Sequence, residues 1–184
     1  MTRISLILLF SIFSVGCFPD TYGGMREFQG HMNDAKEAEL HNDHAKAAEH
    51  LQAAEASANR ISWPDGTLSA KIQLVQVFAA GGRLQEAERE YRSTLSLCLS
   101  VTCDRLGSIY ENGFFLYAVQ MRQIDKADQL VQDLIRNKSM VTDEESIGTR
   151  LSRWAGVLRE MGYAGEAAAL ERQIAVSEVQ DINR

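Results

Sequence analysis

Few residues in this chain have the type and spacing for chemistry, and the cysteines come first. Cys98 and Cys103 bracket the short stretch Leu-Ser-Val-Thr. In an exported protein an even pair at this spacing reads as a disulfide, against the alternative of two buried thiols; a Cys-x-x-Cys redox spacing is absent. The four histidines, His31, His41, His44 and His50, fall within twenty residues beside Asp34, Glu37, Glu39 and Asp43. His41 and His44 are three apart, which would put them on one face of a helix, and imidazoles so placed suit zinc or copper. Asn42-Asp43, however, predicts a turn between them, and a solvated polar end to the fold accounts for the cluster. No metal and no cofactor is expected on this reading. Catalytic motifs are missing too: there is no Gly-x-Ser-x-Gly, no phosphate loop and no His-Glu-x-x-His. The glutamates sit in amphipathic stretches, where they ordinarily form the solvated face, and the expectation is a protein that is not an enzyme. An acidic pair for glycoside cleavage, in a helical enzyme or regulator acting on peptidoglycan, is the alternative.

The elements that position these residues follow from composition and period. The chain has 184 residues, 45% hydrophobic and 24% charged, with two prolines and a formal net charge of -6. That composition fits a soluble globular body and excludes wholesale disorder. The acidic balance argues against a nucleic-acid partner. Scarce proline and few β-branched runs disfavour a β-sandwich.

Residues 1–16 hold one positive charge, Arg3, then an apolar run from Ile4 to Phe13 and a small residue before Cys17. The run is shorter than the roughly 20 residues a membrane span requires, and its layout is that of an export signal. Val15-Gly16-Cys17 resembles the end of a bacterial lipobox. That resemblance implies cleavage before Cys17, acylation of Cys17 and a membrane-held mature protein with no transmembrane helix. Phe18, in place of an aspartate, implies by the same resemblance the periplasmic face of the outer membrane. Cleavage there removes Arg3 and no acid, taking the formal charge from -6 to -7. Residues 17–27, with Pro19 and Gly23-Gly24, read as the lipidated cysteine and a tether.

A forty-residue period runs through the rest. Ala47, Ala87, Ala127 and Ala167 mark it, with Ala54, Thr94, Leu134 and Ile174 seven residues on, and His44, Leu84, Ile124 and Ala164 three before. Upstream stand Ala35, Val75, Phe115 and Ala155, preceded by Asp34, Leu74, Phe114 and Trp154, with Ala38, Phe78, Ala118 and Leu158 three further on. Apolar positions three and four apart make a buried helical stripe. Each unit is thus a helix, a turn and a second helix, and such a pair must stack on its neighbours to bury its apolar face. Ser62-Trp63-Pro64-Asp65-Gly66 reads as a break between units, Thr142 to Glu145 as a capping box opening the fourth, and residues 177–184 as a polar, frayed tail.

At Trp154-Ala155, Ala167 and Ile174, and at Leu74, Gly82, Ala87, Tyr91 and Leu95, the chain resembles the tetratricopeptide repeat family. The resemblance covers residues 28–176 and implies an all-α solenoid of about four helix-turn-helix repeats. The family norm is about 34 residues, so the extra length of each unit is expected in linkers between successive pairs. It further implies that the first helices line a concave groove for a protein or peptide. The residues mapping to that groove are Ile72, Gln73 and Gln76 in the second unit, then Asn112, Leu116, Val119 and Gln120 in the third. In the fourth they are Ser152, Arg153 and Arg159. Side-chain amides can hold an extended peptide backbone, Leu116 and Val119 can take a side chain, and the arginines can receive a carboxylate. The expected function is a lipid-anchored adaptor for an envelope protein, in assembling a secretion, pilus or outer-membrane complex.

Overall fold

The computed structural model describes residues 21–101, 103–142 and 145–182, with side chains described as far as Ile174. The expected signal segment and Cys17 lie outside the described residues. The chain forms α1 (Thr21–Leu40), α2 (His44–Arg60), α3 (Pro64–Ala80), α4 (Leu84–Ser100) and α5 (Leu106–Phe114). Helix α5 runs on as a π-helical segment, Phe115–Gln120; α6 (Ile124–Arg136), a short 3-10 turn (Lys138–Met140), α7 (Ile147–Glu160) and α8 (Ala164–Ile182) follow. No strand occurs among the described residues. Each helix from α1 to α5 packs on the next, as α7 does on α8, and the odd-numbered helices also touch one another, α1 on α3, α3 on α5 and α5 on α7.

The turns explain the period. Residues with positive φ stand at Asn42, Ser62, Gly82, Arg122 and Gly162, each a multiple of twenty residues from the others. At four of them the following residue's N–H reaches back five positions: Asp43 to the Ala38 carbonyl at 2.9 Å, Trp63 to Ala58 at 2.9 Å, Arg83 to Phe78 at 2.8 Å and Tyr163 to Leu158 at 2.9 Å. These are Schellman closures, which satisfy the last carbonyls of one helix while the next begins at once. Asp43 also caps α2, its carboxylate accepting from the Lys46 N–H at 3.1 Å. Glycine meets the left-handed requirement at 82 and 162 without a Cβ penalty. Ser62 meets it at a cost of roughly 1–2 kcal/mol. Ser62→Gly is therefore expected to raise the melting temperature by about 2–4 °C in a chain of this size, as thermal circular dichroism would register.

The connection at 61–63, expected to be a linker between units, is as short as the one at 41–43 within a unit. Pro64 opens α3 rather than ending a loop, since its missing N–H is harmless in the first turn. The length expected in linkers is not found there: α2, α3 and α4 run 17 residues each. Longer connections come only later, at 101–105 and 137–146. The cap of α7 is Ser146, whose hydroxyl accepts from the Thr149 N–H at 3.1 Å, not the expected box from Thr142. Residues 21–27, expected in the tether, are the first turns of α1, and α8 continues through Ile182, into the expected tail.

The alanine column is the seam between paired helices. Ala47, Ala87, Ala127 and Ala167 are each 0% exposed, and Ala54, Thr94, Leu134 and Ile174 are all buried. The column three before the alanines is weaker, with His44, Leu84 and Ile124 half-buried and Ala164 exposed. Large side chains fill the second half: the Phe114 and Trp154 rings stack at 4.4 Å, and Tyr91 meets Tyr117 edge-on at 5.8 Å. Cys98, buried in the last turn of α4, is disulfide-bonded to Cys103 in the connection to α5. A loop this short stabilises by about 2 kcal/mol on the chain-entropy relation.

Candidate functional site

A cleft opens between α3 and the α5–π element. Val75, Gln76, Ala79 and Ala80 form one wall, Asn112, Phe115, Leu116 and Gln120 the other, around a volume of about 310 Å³. Val75 and Leu116 are buried and make an apolar floor. Gln76, Asn112 and Gln120 supply amides at the rim, and the Gln76 amide donates to the Asn112 side-chain oxygen at 2.8 Å across the mouth. Among the described residues no charged side chain lines the cleft.

The π segment shapes this wall. The Met121 N–H bonds the Leu116 carbonyl five residues back at 2.9 Å, and the Gln123 N–H reaches the Tyr117 carbonyl six back at 2.8 Å. One residue more than in the other helices is thus accommodated before the turn at Arg122. The wider turn keeps Asn112, Leu116 and Gln120, four apart in sequence, on one face. Ala79 and Ala80 leave room on α3, while Gly113, outside the cleft lining, lets α5 approach the Tyr91 ring of α4.

Of the ten groove residues expected from sequence, Gln76, Asn112, Leu116 and Gln120 line the cleft. Ile72 and Val119 pack against the core instead, half-buried, and Gln73, also half-buried, lies outside the cleft. Ser152, Arg153 and Arg159 are exposed on α7. Both arginines are already engaged. Arg159 pairs with Glu171, while Arg153 reaches Glu111 at 2.6 Å and Glu145 at 2.7 Å. Burial works against the Arg153 charge, but Glu145 and Glu111 outweigh it and hold its pKa above the ordinary value. The same two carboxylates hold Arg150, only 2% exposed, at 2.7 Å and 3.3 Å. This knot fastens α7 to α5. Its distant member, Glu111, stands 39 residues before Arg150, too far to show as a local charge pattern, and neither Arg150 nor Glu111 stood out from sequence.

Sequence reasoning also missed Val75, Ala79, Ala80 and Phe115. The first and last stand in the packing column ahead of the alanines, so their apolar character was already assigned to the core.

A second concavity lies at the other end, between α1 and α2, lined by Asp34, Glu37, Ala38, His41, Asp43, Lys46 and His50, with a volume of about 540 Å³. His41 sits in the turn, its Nδ1 against the Glu37 carbonyl at 2.8 Å, and His44 starts α2. The pair considered from sequence is thus split by the turn that Asn42-Asp43 predicts. His31 and Asp34 on α1 and His50 on α2 come together instead.

Among the described residues no helix is long and apolar enough to cross a membrane. Comparison with protein-family models, curated proteins and solved structures finds no match to the chain.

Proposed function

We propose that the protein is an α-solenoid adaptor of tetratricopeptide type, held to a bacterial envelope membrane through acylated Cys17, that binds an extended peptide segment of an envelope protein in the α3–α5 cleft. The observation carrying this reading is the cleft itself, whose apolar floor and amide rim use four residues that the repeat resemblance assigns to a groove. Contacts between successive odd-numbered helices support the solenoid reading, because a stack of helix pairs brings first helices side by side. The cleft stands at the small end of ligand pockets, enough for one medium apolar side chain with its flanking backbone. Paired amides offer both donors and acceptors to that backbone. With Arg153 and Arg159 already neutralised, the segment is read through its uncharged backbone and side chain, and capture of a carboxylate is not part of the proposal. Anchoring would raise the local concentration of whatever occupies the cleft.

Peptides selected from a displayed random library on the purified protein should carry one apolar anchor residue. The Gln76→Ala/Asn112→Ala double variant is expected to bind them about tenfold more weakly, each amide contributing about 0.5–1.5 kcal/mol. Unchanged affinity in that variant would dismiss the cleft. In cells, Cys17→Ala is expected to move the protein from the membrane fraction to the soluble one; continued pelleting would dismiss the anchor.

A further inference from the structure

The side chains of His31, Asp34 and His50 each present a ligand atom, and all three atoms lie within 4.8 Å of one another. We propose that these residues form a binding site for a divalent transition-metal ion of the zinc type, clamping α1 to α2. His31 and Asp34 are one helical turn apart on α1, so they project from the same face. His50 meets them from α2, its Nδ1 3.8 Å from an Asp34 carboxylate oxygen and its ring 5.9 Å from that of His31. The approach is possible because the seam between these helices is built of Ala35, Ala38, Ala47 and Ala48, all buried.

The donor set suits the ion. Two imidazoles and a carboxylate are the ligands that zinc takes at about 2.0–2.2 Å, which places donors about 3.3 Å apart around a tetrahedral centre. The His50–Asp34 separation of 3.8 Å is near that, and small side-chain rotations close the remainder. One observation points independently to something missing: His31 Nδ1 is shielded from solvent yet has no hydrogen-bond partner among the described residues. A shielded imidazole nitrogen without a partner carries a desolvation cost that a metal ion, or a ring turned to place its other nitrogen on one, would relieve. Asp34 and His50 also line the neighbouring concavity, where Glu37 and Asp43 outnumber the single cation Lys46. Three protein ligands at the edge of such an open, acidic space leave a fourth position for water. The preference for imidazole separates this site from one for calcium or magnesium, which take all-oxygen shells.

The test uses the untagged full chain stripped with a chelator. Calorimetric titration with zinc should give one equivalent bound, with a rise in melting temperature that the same concentration of magnesium does not produce. Cobalt in place of zinc should give the visible absorption of a tetrahedral centre. His31→Ala and His50→Ala, each checked for unchanged helicity, should lose the stoichiometric binding and the cobalt spectrum, while His41→Ala keeps both. Absence of binding to the wild-type chain would overturn the site. So would binding that survives in both His31→Ala and His50→Ala, or an equal rise in melting temperature with magnesium.

Discussion

Trp154→Ala is expected to destabilise the protein by about 3–5 kcal/mol, the largest effect of any single substitution considered. Trp154 is 0% exposed and its ring stacks on Phe114 at 4.4 Å with an interplanar angle of 7°. Phe114 belongs to α5 and Trp154 to α7, and α5 is the helix through which α7 joins the rest of the chain. Truncation leaves a cavity that two rigid helices cannot collapse, and removes the stacking contribution of about 0.5–1.5 kcal/mol as well. In a chain of this length the melting temperature should fall by about 10 °C or more. Urea titration followed by circular dichroism would measure it, and Trp154→Phe should recover much of the loss by restoring a ring on Phe114. A loss below about 1 kcal/mol would mean that α7 does not dock on α5 through this stack.

Gly113→Ala separates two opposed effects by sign. In a helix interior alanine is ordinarily favoured over glycine by about 0.5–1 kcal/mol, so local propensity alone gives a more stable protein. Here a Cβ on residue 113 would meet two ring carbons and the hydroxyl oxygen of Tyr91 at 2.4–2.6 Å. Tyr91 is 2% exposed and braced edge-on by Tyr117, so its ring has nowhere to go. Overpacking of this kind costs about 1–3 kcal/mol, which exceeds the propensity gain. The expected outcome is a lower midpoint in urea. Because Asn112 adjoins Gly113, the displaced helix should also weaken peptide binding in the cleft. A stabilised Gly113→Ala protein would show that α4 and α5 stand further apart than described.

The same contrast shows what could be read from the sequence and what could not. The seam was legible at Ala47, Ala87, Ala127 and Ala167, because a small residue every forty positions has one simple physical use, letting two helices approach, and all four are fully buried. The helical class followed from that, as did the Cys98–Cys103 bond from its spacing. Linker placement was not legible. Ser62-Trp63-Pro64-Asp65-Gly66 has turn composition throughout, yet only residues 61–63 turn, since proline is as good at opening a helix as at preventing one.

The cleft was half legible. Gln76, Asn112, Leu116 and Gln120, which the repeat resemblance assigns to a groove, line the cleft, whereas Val119 packs against the core. The π segment fixes which residues of this wall face the cleft, and it depends on a backbone register with no side-chain signature. Arg153 and Arg159 looked available only because their partners, Glu111, Glu145 and Glu171, lie on other turns and other helices. The histidines misled for a related reason: spacing along the chain favours His41 with His44, but the hairpin brings His31 to His50.

The most direct test of the adaptor reading is site-specific photocrosslinking in intact cells. A photoreactive residue would be placed at Gln76 or Gln120 on the cleft, and at Arg89, exposed on α4, as a control. The expected result is a discrete adduct with an envelope protein from both cleft positions and none from Arg89, weakened when Asn112 is changed to alanine. No adduct from the cleft, or the same adduct from all three positions, would contradict the claim that this cleft is where the protein holds its partner.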